Sequence, residues 1–187
     1  MILGFKEFFD AKKTQPTYFR DKIRAPYFKV YPNSTQPPVI EIYYKPKLHT
    51  FRLDPHDRWK AGMSIQMVYR GPKYSIKDHF NKGIPELERC KSTQKVEIKW
   101  YKDKSWISEA ATLAGIKSKN VKISIDGKEC IHVSFNEVGF SCAGVNYDRL
   151  IHGDLFQNDG FYGVYEFFKW FNNDWKGKII HWTDLRY

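Results

Sequence analysis

Cysteine is scarce and odd in number: Cys90, Cys130 and Cys142 are the three in 187 residues, and they lie far apart. Their spacing excludes a disulfide framework of the small secreted kind and a cysteine-based metal site. No apolar run approaches the ~18 residues of a membrane span. The opening Met1-Ile2-Leu3-Gly4-Phe5-Lys6 is too short, and too soon charged, for a secretory signal. These absences lead us to expect a cytoplasmic chain without a membrane partner. Acidic residues are outnumbered, 21 against 31 Lys and Arg, which leaves a net charge of +10. A surplus of that size favours polyanions: RNA, DNA, nucleotides or acidic protein surfaces.

Aromatic residues are abundant by contrast, with 14 Phe, 12 Tyr and 6 Trp. Rings beside basic groups can stack on nucleobases, so charge and aromaticity point to the same ligand class. The length suffices to bury a core without disulfides or a structural metal. We read residues 1–187 as a single domain.

The pattern predicts strands over residues 1–5, 48–53, 64–70, 95–101 and 178–182, with a further short one over 39–44. The clearest hairpin joins Val121–Ile125 to Ile131–Phe135 through Asp126-Gly127. Helices are expected over 16–23, with Pro16 in the first turn, over 108–114, and over a segment carrying Tyr147, Leu150, Ile151 and Leu155. Another is expected where Val164, Phe167, Phe168 and Phe171 repeat at i, i+3, i+4, i+7, capped by Gly163 and ended before Gly177. Residues 73–89 read mainly as loop. Short strands with helices between them indicate an α+β fold with an antiparallel or mixed barrel.

Two stretches carry candidate chemistry. Lys47-Leu48-His49-Thr50-Phe51-Arg52 sets an amine, a hydroxyl and a guanidinium at the start of a strand, followed by Asp57-Arg58-Trp59-Lys60-Ala61-Gly62. Far downstream comes Asn158-Asp159-Gly160-Phe161, then Glu166-Phe167 and the last strand. A threonine hydroxyl attacks only if a base accepts its proton. A lysine does so where burial or a neighbouring cation such as Arg52 lowers its pKa, and an acid can then shuttle the proton. In a regular strand Lys47 and Thr50 face opposite ways. They converge only if Lys47 precedes the strand, in a bend after Pro46. Arg52 can instead pair with Asp54 or Asp57, Asp159 can merely cap its turn, and His49 and His181 read as structural.

In their order these motifs resemble the ASCH family of the PUA-like superfold. The matching residues are Lys47, Thr50 and Arg52; Lys60-Ala61-Gly62; Asp159-Gly160-Phe161; Glu166-Phe167; and the strand from Lys178 to Trp182. The chain departs from that family at Lys45-Pro46-Lys47-Leu48, where Gly-Lys-Lys-Thr is common, at Met63, where an acid usually stands, and near 26–46 and 71–94, which against a minimal member read as insertions. The resemblance implies a small β-barrel with inserted and flanking short helices that binds RNA, nucleotides or modified nucleosides in a basic cleft. Some members are hydrolases of acetylated cytidine or of single-stranded RNA. For them the resemblance implies Lys47, Thr50 and Asp159, with Asp154 as a substitute acid, as catalytic residues. Arg52, Arg58 and Trp59 are the candidate ligand-binding residues, and neither metal nor cofactor is called for. Three functions follow in order of preference: a nucleic-acid or nucleotide-binding module, a small hydrolase, and a factor of a mobile element or phage that docks on a host protein. The sequence leaves oligomeric state open.

Overall fold

The computed structural model describes residues 2–6, 8, 12–13, 16–24, 26, 46–69, 79–101, 119–136, 139–143 and 155–187, with backbone alone at 136 and 139–143. The expected strand over 39–44, the helix over 108–114 and most of the one expected to end before Asn158 lie outside these residues, as does Asp154.

The described chain is α+β. Its strands are β1 (Ile2–Phe5), β2 (His49–Arg52), β3 (Gln66–Tyr69), β4 (Ser92–Tyr101), β5 (Lys119–Ile125), β6 (Lys128–Asn136), β7 (Gly139–Ala143) and β8 (Trp175–His181). Two helices, α1 (Phe19–Arg24) and α2 (Val164–Trp170), and a helical turn over residues 155–158 complete the framework. Six strands form one antiparallel sheet in the order β2-β8-β4-β5-β6-β7, and β1 pairs with β3 in parallel as a separate sheet. No helix among the described residues is long and apolar enough to cross a membrane.

Local chemistry accounts for the main elements. The β5–β6 hairpin turns on Asp126 (φ 51°) and Gly127 (φ 82°). Two successive positive φ values match the right-handed twist of the flanking strands. Strand β4 alternates as expected, with Val96 and Ile98 buried and Lys95 and Lys99 exposed. Helix α1 begins at Phe19, later than predicted, because Thr17 stands before it and its hydroxyl accepts from the Phe19 amide at 3.4 Å. Pro16 lies outside the helix, bridged to Phe8. The last strand starts at Trp175, so Gly177 lies within it and does not end the preceding region. A Cβ at Gly177 would collide with the Arg52 carbonyl oxygen and the Trp175 ring. Only glycine lets β8 pass that close to the end of β2. Strand β7 had no expectation in the sequence, and within 79–89 a 3-10 turn at Pro85–Leu87 is ordered by buried Asn81.

Two apolar clusters flank the sheet. One packs Phe51, Val96, Ile98, Ile123, Val133 and Ile179 against Phe156, Phe161 and α2. The other joins Leu3, Phe5, Phe19, Ile23, Met67 and Trp59 to Ile180 and Trp182. Neighbours Ile179 and Ile180 point to opposite faces because strand side chains alternate, so β8 is buried on both sides.

Strand pairing also sets His49 opposite His181, with ring centroids 5.3 Å apart and both side chains fully buried. Burial holds His49 well below its usual range and pushes His181 down to about 4. Unfolded, each imidazole takes a proton near pH 6.5; folded, both stay neutral. The histidines therefore leave stability intact above about pH 6.5 and reduce it as pH falls toward 4, by roughly 3 kcal/mol for His181 alone. Urea unfolding between about pH 7 and 4 should show this loss, and His181→Asn should flatten it; an unchanged slope in the variant would refute neutral burial of His181.

Candidate functional site

Lys47 lies just before β2 and its backbone is fixed from two directions. Its amide donates to the Lys22 carbonyl at 3.0 Å, and the next amide, Leu48, donates to the Asn158 carbonyl at 2.7 Å. Lys47 thus precedes the strand proper, which starts at His49, as convergence with Thr50 requires. Beyond it, Thr50 and Arg52 share one face of β2, at i and i+2, opposite to Phe51 in the first cluster.

A small cavity of about 110 Å³ opens against this face, lined by Lys47, Thr50, Arg52 and Asp159 together with Lys6 and rings that include Phe5 and Trp170. Four residues expected to act together thus meet at one place, although Lys47 and Asp159 are 112 positions apart. The Lys47 ammonium, 1% exposed, donates to both the carbonyl and the carboxylate of Asp159. The Phe51 amide also donates to that carboxylate. Among the described residues β2 stands at the edge of the six-stranded sheet.

Burial dominates the ionisation of this pair. It pushes Lys47 down to about 8 against the pull of Asp159, with Arg52 and Lys22 adding to the lowering. It also raises Asp159 above the usual carboxylate range, opposed by Lys47, Arg52 and the Phe51 amide. The Arg52 guanidinium is half-buried and sits 4.8 Å from the centre of the Phe5 ring.

The turn carrying Asp159 is built for close approach. Gly160 takes φ +87°, and a Cβ there would meet the Phe19 ring at 2.9 Å and the Lys47 chain at 3.2 Å. Lys22 donates to the Gly160 carbonyl at 2.7 Å. Lys22 went unnoticed in the sequence. Its signal was its position with Phe19 and Ile23 on the buried face of α1, at i, i+3, i+4. Lys6 and Phe171 were also missed as lining residues.

Arg58 and Trp59 do not line the cavity. Trp59 is buried in the second cluster and cannot stack a base; its carbonyl accepts from Lys178 at 2.7 Å. Arg58 is exposed, and its amide donates to Asp54 at 2.8 Å. Asp54 and Asp57 pair with Lys178, and Asp57 also with Lys60, rather than with Arg52. A larger hollow of about 580 Å³ across β4, β5 and β8 carries Asp54, Asp57 and Glu97 beside Lys95, Lys176 and Lys178. Its ion pairs largely compensate one another, so it offers little net charge to a ligand.

No family model matches the chain, and neither a curated protein nor a solved structure matches it. What the site can do rests on its own chemistry.

Removing one partner of a buried ion pair strands the other, at a cost of about 3–5 kcal/mol. Lys47→Met and Asp159→Asn should each destabilise the fold on that scale in urea unfolding. The double variant should lose clearly less than the two single losses added together. Strict additivity would show that the two groups are not coupled.

Proposed function

We propose that the chain binds RNA, a nucleotide or a modified nucleoside in the cavity beside β2. The observation that carries this reading is the gathering of Thr50, Arg52, Lys47 and Asp159 around one aromatic-walled space. Arg52 and the exposed Lys6 are further cations of that lining. A guanidinium forks onto phosphate or onto base oxygens. The Thr50 hydroxyl can both donate and accept, and the ring walls suit a flat base. Membership of the ASCH family belongs to the same proposal, supported by the spacing Lys47-x-x-Thr50-x-Arg52 and by Asp159-Gly160-Phe161. So does a PUA-like barrel, for which the support is that the end of β1 lines the cavity together with β2. The proposal carries with it a cytoplasmic location, where such ligands are at hand.

Calorimetric titration with nucleoside monophosphates tests it. Charge-assisted hydrogen bonds are worth about 1.5–3 kcal/mol, so Arg52→Ala should weaken binding at least about tenfold. Binding should also weaken as salt rises. Undiminished affinity in Arg52→Ala removes the basis of the proposal.

One observation favours a second reading, a small hydrolase of acetylated cytidine. Lys47 is a buried amine whose pKa is lowered to about 8, beside a hydroxyl-bearing residue of the same cavity. In its neutral form Lys47 accepts the Thr50 proton as the hydroxyl oxygen attacks the acyl carbon; the acyl C–N bond then breaks, Lys47 returns the proton to the departing cytidine amine, and water hydrolyses the acyl-threonine to acetate and free Thr50. The base is the deprotonated amine, so turnover should rise with pH through about 8 and vanish in Thr50→Ala. A flat profile, or an active Thr50→Ala, rejects this reading.

A further inference from the structure

Beyond pairing, Lys47 and Asp159 set a nucleophile against an acyl group away from solvent. Lys47 is 1% exposed and Asp159 4%. The Lys47 ammonium donates to the Asp159 carboxylate and stands 4.6 Å from the centre of the Phe19 ring. Burial disfavours both charges, lowering the amine to about 8 and raising the acid. A proton shift along the hydrogen bond then yields a neutral amine and a neutral carboxylic acid. Groups held in this way react as though at an effective concentration of roughly 10⁵–10⁸ M. Water, which would reverse an acylation, is kept from them.

The surroundings suit the product of such an acylation as well as the reactants. A side-chain amide between the two residues would keep its N–H where the Lys47 nitrogen already donates to the Asp159 main-chain carbonyl. Its oxygen would lie where the Phe51 amide already donates. Both polar atoms are then satisfied, and two buried charges vanish together with their desolvation penalty. The adjoining cavity of about 110 Å³ can receive the departing water, which needs roughly 10–15 Å³.

We propose that Lys47 and Asp159 join in an intramolecular isopeptide bond once the chain has folded. The Lys47 nitrogen gives one proton to the carboxylate and attacks Cγ. The C=O electron pair moves onto the oxygen, where the Phe51 amide stabilises the oxyanion. The nitrogen then passes a second proton to the acid hydroxyl by way of the Thr50 hydroxyl, which lines the same cavity. The Cγ–O bond breaks and water leaves. One N–Cγ bond replaces one Cγ–O bond, and no oxidant or other reactant is consumed. The bond does not rest on the nucleotide reading, and it leaves Arg52 and Thr50 unmodified. It does exclude the hydrolase from the linked form, because an amide nitrogen is not a base.

Mass spectrometry of the full chain under denaturing conditions tests this. The chain should be lighter than its sequence requires by one water. Digestion should yield a branched peptide that joins the segments carrying Lys47 and Asp159. Lys47→Arg and Asp159→Ala should each show the full mass of their own sequences; where either variant fails to fold, the wild-type digest decides alone. A wild-type chain of full mass, with Lys47 and Asp159 in separate peptides, overturns the proposal. So does a lost water that maps to a succinimide at Asp159-Gly160 or Asp126-Gly127, which hydroxylamine opens and an isopeptide bond resists. Neither result touches the nucleotide site, which is judged by the affinity of Arg52→Ala.

Discussion

The buried contact between Lys47 and Asp159 is the constraint on which the remainder of the site depends. It ties the bend before β2 to a turn more than a hundred residues later in the chain. Taking two charges out of water is costly, and the attraction between them offsets that only where further hydrogen bonds complete the pair. Here the Asp159 carbonyl and the Phe51 amide do so. The result is a rigid floor on which Thr50 and Arg52 stand at fixed separation. Pre-organisation of this kind is what a recognition site needs, because flexible partners lose entropy on binding.

The same device recurs around β2. Lys22 secures the carbonyl of Gly160, and Lys178 secures the carbonyl of Trp59 and the carboxylates of Asp54 and Asp57. Three nearly inaccessible ammonium groups thus fasten the connections before, beside and after one four-residue strand. Lysine suits such a position because its long apolar stem packs in the interior while its tip reaches a polar group. Part of the chain's basic surplus is therefore structural, whereas residues such as Lys6 and Lys169 are exposed.

The sequence announced the strands that alternate and the hairpin whose turn must adopt positive φ, because those signals are local. The spacing of Lys47, Thr50 and Arg52 was legible for the same reason, including the condition that Lys47 precede the strand. Trp59 misled because an aromatic ring beside an arginine has one appearance in sequence, whether it lies in a groove or in the interior. Only tertiary packing decides that. Lys22 escaped notice because a charged residue on an apolar helix face is ordinarily assigned to water. Pro16 and Gly177 were assigned by their usual roles at helix ends. Pro16 instead takes part in an isolated bridge, and Gly177 is needed where two backbones nearly touch.

Ile179 and Ile180 sit back to back on β8, each filling a different cluster. A shift of one residue along that strand would exchange the two, turn Lys178 away from its carboxylates and thrust a side chain at the Arg52 carbonyl. Because β8 is hydrogen-bonded to β2 on one side and β4 on the other, the error would spread to both. The strand therefore admits one alignment, and the spatial order of the amine, hydroxyl and guanidinium is inherited from it.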